Sequence, residues 1–323
     1  MRIEGSKLVV VGGAGMIGSH TVDRLLDEDL AEVVIFDNFE RGSLENLEVA
    51  LADPRVTIVD GDVGDLTALR KTFMGADGVF HFAAMSLLHC YEHPRNGFDV
   101  NLAGTFNVLE ACSESAVRRL VFSSSASVYG DALEDPMTES HPFNNTTFYG
   151  ATKIGGEAMV QAFCHRSGLG YVGLRYFNVY GTRQDYEGAY VAVIMKILDR
   201  LDRGEAPTVY GDGSQAYDFI NVRDCARANV EVIKAEVVDR FYNVCTGIGT
   251  SIRELAETLI TLTGQEVEVD YLPEEISFVS KRVGDPTSAR EDLGFVAKTN
   301  LVDGLRELIE FRASHRLRGS QVQ

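Results

Sequence analysis

The chain has 323 residues, 45% hydrophobic and 24% charged, enough for a full core and one or two domains. Its 30 Lys and Arg against 48 Asp and Glu give a formal net charge of -18, which opposes bulk attraction to nucleic acid or to an anionic membrane. An anionic ligand would need local positive groups, helix N-termini and a few chosen arginines.

Five cysteines (Cys90, Cys112, Cys164, Cys225, Cys245) form no close pair, so reduced thiols and a cytoplasmic protein are expected. His89 and His93 lie four apart without an evident third ligand, and no metal is expected. No apolar run approaches the ~20 residues of a membrane span, and the first residues show no signal-peptide pattern.

Residues 8–11 (Leu-Val-Val-Val) read as a buried parallel strand. They run into Gly12-Gly13-Ala14-Gly15-Met16-Ile17-Gly18 and then a helical pattern through Leu25, Leu26 and Leu30. Glycines at 12, 15 and 18 suit a tight turn, close approach of backbone to a pyrophosphate, and close helix–strand packing. The phosphates would sit on the helix N-terminus. A second strand over 32–36 ends at Asp37, about 20 residues past the last glycine, where an acid accepts both ribose hydroxyls. Arg41 is near but does not follow at once, so NAD is expected over NADP.

The alternation continues with a strand over 56–59 ending at Asp60-Gly61-Asp62-Val63, a helix over 66–73, and a strand over 78–82 ending at Ala83-Ala84. A helix over 101–112, a strand over 120–123, a helix over 149–165 and a strand over 171–175 follow. This predicts an α/β, doubly wound parallel (Rossmann) sheet with ligands at the carboxyl ends of the strands. Those ends carry Gly12, Asp37, Asp62, Ala83, Ser123 and Tyr176.

After residue 178 the pattern breaks into short pieces: a strand over 208–210, a helix over 223–235, a strand over 241–244, and helices over 252–262 and 301–312. The division expected is a dinucleotide-binding domain over 1–177 and a smaller mixed α/β lobe over 178–314. That lobe binds substrate and returns in part to the first domain, and a basic tail frays over 315–323.

Tyr149 and Lys153 lie four apart on one helix face. A phenol near pKa ~10 needs some 3 units, about 4 kcal/mol, to act as a base near neutrality. One cation supplies roughly 1–3 units, so Lys153 alone falls at the edge and a second charge, such as an oxidised nicotinamide ring, would close the gap.

The glycine turn, Asp37, and the run Ser123-Ser124-Ser125-Ala126-Ser127-Val128-Tyr129-Gly130 ahead of Tyr149-x-x-x-Lys153 together resemble the extended short-chain dehydrogenase/reductase family. Within it the resemblance is to nucleotide-sugar epimerases of the UDP-glucose and UDP-N-acetylglucosamine 4-epimerase type, over nearly the whole chain. Asn101-Leu102-Ala103-Gly104-Thr105, Arg175-Tyr176-Phe177-Asn178 and Tyr210-Gly211-Asp212-Gly213-Ser214-Gln215 extend the match.

The resemblance implies NAD as cofactor, Tyr149 as acid/base, Lys153 as its charge partner on the nicotinamide ribose, and Ser125 on the reacting hydroxyl. Gly12, Gly15, Met16, Ile17 and Gly18 would hold the pyrophosphate, Asp37 and Asn38 the adenosine ribose, and Asp62 and Val63 the adenine. Ala83, Ala84, Asn101, Ser123 and Tyr176 would complete the cofactor site. Asn178 would touch the substrate diphosphate, Tyr210 the base and Arg282 a phosphate, and a homodimer would form through the Asn101 and Tyr149 helices.

Sugar-nucleotide dehydratases place Thr-Asp-Glu where this chain has Ser125-Ala126-Ser127, and decarboxylating relatives also use a Glu where Ser127 stands, which favours epimerisation of a UDP-sugar. The alternatives are a dehydratase, decarboxylase or reductase of the same family, or a silent nucleotide-binding regulator. One departure stands out: Tyr217 occupies the place of an arginine that bonds the diphosphate in relatives. It would contact substrate or pack under the lobe, with Arg282 or Arg223 carrying the phosphates.

Overall fold

Each short Val/Ile/Phe run is too apolar to face water and too short for a core helix, so it forms a strand covered on both sides. The computed structural model describes residues 1–184, 193–273 and 279–319, with side chains to His315. The first half runs β1 (Lys7–Val11), α1 (Met16–Leu26), β2 (Glu32–Asp37), β3 (Val56–Asp60), α2 (Leu66–Phe73), β4 (Gly78–His81), α3 (Leu87–Glu92), α4 (Pro94–Phe98), α5 (Thr105–Glu114), β5 (Arg119–Ser125), α6 (Phe148–Ser167) and β6 (Gly170–Tyr176). The second half adds β7 (Asn178–Tyr180), α7 (Val193–Asp202), β8 (Thr208–Tyr210), β9 (Ala216–Asn221), α8 (Val222–Lys234), β10 (Arg240–Val244), β11 (Gly249–Ser251), α9 (Ile252–Thr263), β12 (Asp270–Leu272), β13 (Lys281–Arg282), α10 (Thr287–Leu293) and α11 (Leu301–Gly319).

Seven strands pair in parallel in the order β10-β6-β5-β4-β1-β2-β3. The order reverses between β1 and β4, and a crevice opens there at the carboxyl ends. Side chains alternate faces along β1. Leu8 and Val10 pack with Val22 and Leu25 of α1 and Ile233 of α8, while Val9 and Val11 pack with Leu109 of α5 and Val160 of α6. Each such side chain contributes about 1.5–3 kcal/mol on full burial.

Beyond β6, β9 pairs with β7, β11 and β13, and β8 pairs with β12. A separate core of Ile194, Leu198, Val209, Leu255, Leu259, Leu305 and Leu308 holds this lobe. Its chain also returns to the main sheet, with β10 at the edge beside β6 and α8 on one face. The tail expected to fray from His315 is helical as far as Gly319. The His315 ring lies 3.9 Å from that of Phe311 and its Nε2 is 3.1 Å from Glu45, while Arg312 bonds Asp199 and Asp202 of α7. Residues 320–323 of that expected tail lie outside the described residues. Among the described residues no helix is long and apolar enough to cross a membrane, and all five cysteines are free and buried.

Candidate functional site

The glycine turn has two jobs, divided between its glycines. Gly12 takes φ 79°, and a Cβ there would stand 2.5 Å from the Ala83 nitrogen; one at Gly18 would stand 2.2 Å from the Gly12 carbonyl. Both positions are closed by packing. At Gly15 the nearest atom is 3.5 Å away, so that glycine faces the cleft. Helix α1 starts there with no side-chain cap and no acid in its first turn, leaving its first N–H groups to a ligand.

Around this turn one cleft is lined by Gly12, Gly15, Asp37, Asn38, Arg41, Asp62, Val63, Ala83, Ala84 and Met85. Asp37 accepts from the Ala14 and Phe39 nitrogens at 2.8 and 2.9 Å, which fixes its carboxylate at the end of β2. Asn38 Nδ2 donates to Asp62 Oδ2 at 2.7 Å, and Gly64 N donates to the other Asp62 oxygen at 2.7 Å. Val63 is wedged beside Gly104, where a Cβ would come within 2.5 Å of it.

A second cleft is lined by Ile17, Ser123, Ser125, Tyr149, Tyr176, Asn178 and Phe219, among others. Thr147 starts α6 by accepting from Gly150 N at 3.0 Å, which sets Tyr149 in the first turn. The Ser125 side chain faces Tyr149 across this cleft and acts on its phenol as a hydrogen-bond partner that lowers its pKa. Lys153 Nζ donates to the Ser123 carbonyl at 2.8 Å and lies 5.6 Å from the centroid of the Tyr149 ring.

Burial acts on the two groups in opposite senses. It pushes the Tyr149 phenol up to about 12, against the pull of Ser125 and the positive charge of Arg282. It draws Lys153 down to about 8. Reaching neutrality from about 12 takes roughly 5 units, near 7 kcal/mol, more than the roughly 1–3 units of a single cation. The second cation the sequence asked for comes in part from the chain itself, in Arg282.

The model of the NAD dependent epimerase/dehydratase family matches residues 8–245. The chain belongs to that family. It is 33% identical over 309 residues to a putative UDP-glucose 4-epimerase of Methanocaldococcus jannaschii, covering 94% of this chain and 97% of that protein. Among solved structures it resembles a UDP-N-acetylglucosamine 4-epimerase of Methanobrevibacter ruminantium in complex with UDP-N-acetylmuramic acid. The TM-score is 0.91 at 33% identity, covering 97% of this chain and 100% of that one. It also resembles the Thermotoga maritima UDP-glucose 4-epimerase with UDP-glucose, with a TM-score of 0.90 at 31% identity, covering 96% and 99%. The dinucleotide of this epimerase/dehydratase family fits the first cleft: packing closes Gly12 and Gly18 while Gly15 opens onto uncapped helix N–H groups.

In this family member, Arg282 stands on β13, paired in register with Tyr217 of β9; it is outside the lining of both clefts, but near enough for its charge to act on Tyr149. Its Nη2 donates to the Gly130 carbonyl at 3.3 Å, and its Nε has no partner among the described residues although the side chain is 8% exposed. A buried guanidinium left this open favours an anion. Asp131 holds the strand in place, accepting from Ser280 N and Lys281 N at 3.0 and 3.1 Å.

Other residues stand further back. The Tyr217 hydroxyl donates to the Val279 carbonyl at 2.8 Å and its ring packs near Phe219, which is the packing alternative. Arg223 pairs with Glu307 with its side chain 64% exposed, and does not enter the place of the missing arginine. Tyr210 is 44% exposed on β8, outside the lining of either cleft. Asn178 Nδ2 donates to the Asp218 carbonyl at 3.2 Å, and Tyr176 donates to Asn229 at 2.5 Å. Asn101 lies behind the first cleft, in a π-type turn over Asp99–Gly104. It bonds both the nitrogen and the carbonyl of Met85 and reaches Thr152 on α6, so it orders the wall next to Lys153. Sequence reasoning passed over Glu157, whose one signal is the continued four-residue spacing after Lys153, and named Arg175 only as the first residue of a matching stretch.

Proposed function

We propose that this chain is an NAD-dependent epimerase of a nucleotide sugar, acting at C4 of a UDP-hexose through a transient 4-keto sugar. The observation that carries the reading is the composition of the second cleft. Among the described residues lining it there is no carboxylate, and Tyr149 beside Ser125 is the acid/base group. Ala126 and Ser127, where dehydratases carry acids, are buried in the turn after β5. Elimination of water needs a second acid/base that this lining lacks; epimerisation needs one.

Ser125 and Tyr149 hold the reacting hydroxyl, and Tyr149 takes its proton with Lys153 and Arg282 favouring the phenolate. Bound in the first cleft, NAD would supply reversible hydride acceptance from the carbon that carries that hydroxyl, and its oxidised ring would add a further positive charge. Once the ketone has turned, so that its other face is the one reduced, Tyr149 gives the proton back to the carbonyl oxygen and restores the hydroxyl. Arg282, with Nε open, anchors the diphosphate, and Asn178 stands beside it. Asp37 bonds the ribose diol and disfavours a 2′-phosphate.

The reading extends to a cytoplasmic homodimer. Five free cysteines suit a reducing compartment. Phe98 and Phe106, 47% and 45% exposed, flank the start of α5, and the Phe106 ring meets Phe163 of α6 edge-on at 5.0 Å, an apolar face that a second copy would cover. The test is incubation of purified protein with UDP-glucose and UDP-N-acetylglucosamine, followed by NMR. A C4 epimer without net NADH is expected; net NADH, or loss of water from the sugar, would overturn the reading.

A further inference from the structure

Beneath the catalytic face of α6, Glu157 and Arg175 form a buried ion pair that takes no part in the proton transfer. Arg175 donates through Nε and Nη2 to the two Glu157 oxygens at 2.8 and 2.7 Å, and Ser124 Oγ donates to Glu157 Oε1 at 2.5 Å. The two side chains are 6% and 4% exposed. On its far side Arg175 Nη1 donates to the Tyr129 hydroxyl and to the Glu139 carbonyl, both at 2.9 Å, and Tyr129 donates to Asn243 at 2.7 Å. Desolvating two charges is costly, and such a pair is weak evidence for stability by itself. Its placement points elsewhere.

Tyr149, Lys153 and Glu157 follow one another at four-residue spacing and form one stripe of α6. Three consecutive residues at the end of β5 each take one of them. Ser125 faces Tyr149 and lowers its pKa, the Ser123 carbonyl accepts from Lys153, and the Ser124 hydroxyl donates to Glu157. Gly156, where a Cβ would stand 2.8 Å from the Phe122 ring, lets α6 lie that close to the strand. Of the three contacts, the one through Glu157 is the only one tied onward by an ion pair to a second strand, β6.

We propose that Glu157 is a positioning residue for the catalytic pair. Gripped by Arg175 and Ser124, it fixes α6 against the end of β5 and keeps a negative charge one turn behind Lys153. The charge matters because burial works against the Lys153 ammonium, and Cys90 and then Glu157 oppose that effect, while His81 also faces Lys153 from β4. The proposal rests on Tyr149 and Lys153 being the catalytic pair.

The informative variant is E157M/R175L, because replacing a buried ion pair by apolar groups is commonly neutral or stabilising. The expected result is a Tm at or above wild type, with kcat lower by about tenfold or more, as loss of a well-set acid/base group costs, and KM little changed. The alkaline limb of kcat/KM moves to lower pH, since Lys153 has lost the carboxylate that favours its protonated form. Wild-type kcat with an unmoved limb overturns the proposal. S124A keeps the ion pair and is expected to lower kcat about threefold, the effect of one hydrogen bond, with the limb unmoved. Wild-type kcat in S124A overturns the docking role even if the double variant does not fold. Tyr149→Phe is measured alongside: if it is active the functional reading itself fails, whereas an inactive Tyr149→Phe beside a fully active double variant removes only this inference.

Discussion

On the dinucleotide side of Tyr149, Gly12, Asp37 and Asp62 stand at or just past the ends of the neighbouring strands β1, β2 and β3, within one stretch of chain. On the proposed substrate side, Asn178 and Arg282 come from β7 and β13, with Tyr217 packed on β9, three strands far apart in sequence and only three, two and six residues long. The first side works through backbone closeness, at positions where a single methyl group would collide. The second works through a few side chains whose placement depends on strand register and on the loop that clamps β13. One follows from local rules and the other from long-range pairing.

Tyr149 sits where the two sides meet, and its loss is expected to have the largest effect. Tyr149→Phe keeps the ring and removes the proton carrier, so kcat should fall about 10²–10⁴-fold with little change in substrate affinity. Stopped-flow or coupled assays read this directly, and retention of a tenth of wild-type turnover or more would contradict it.

Next comes the backbone side. A Cβ at position 18 would lie 2.2 Å from the Gly12 carbonyl, so Gly18→Ala is expected to cost about 1–3 kcal/mol by overpacking. The purified variant should show a lower Tm and carry less NAD. Gly15→Ala has room in the protein alone, with its nearest atom at 3.5 Å, so it should keep its Tm and lose NAD. Equal thermal losses in both variants would erase the division between packing and ligand-facing glycines.

The side-chain half is sharpened by a pair of variants. Arg282→Ala should weaken nucleoside diphosphate binding by at least tenfold, about 1.4 kcal/mol. Tyr217→Phe removes one bond to the Val279 carbonyl, worth about 0.5–1.5 kcal/mol, and should matter less. Calorimetry that ranks the two the other way would make Tyr217 a substrate contact.

The smallest effect is one of pH. Lys153, drawn to about 8 by burial, is an ammonium below that pH and loses its charge as pH rises through it. The phenolate of Tyr149 is favoured only while that charge is present, so kcat/KM is expected to decline on the alkaline side from about pH 8. In Lys153→Ala that limb disappears and activity starts at higher pH, because the phenol has lost a cation. An alkaline limb that survives in Lys153→Ala would assign it to another group.

The sequence by itself determined the parallel sheet, the glycine turn with Asp37, and Tyr149 and Lys153 on one helix face. Each is written in contiguous residues: apolar runs ending in glycine or acid, and a four-residue helical spacing. It left Glu157 unremarked and gave Arg175 no partner, because nothing along the chain shows that they meet. It also left the Tyr217 hydroxyl free to contact substrate, when the parallel pairing of β13 with β9 and the position of Val279 direct it inward. Only the tertiary structure decided the electrostatics at Tyr149. A phenol is held up or pulled down by what removes water from it and by which charges lie near, and here burial, Ser125 of β5 and Arg282 of β13 act on it. Desolvation and charge proximity are properties of packed surfaces, and no spacing within a single segment encodes them.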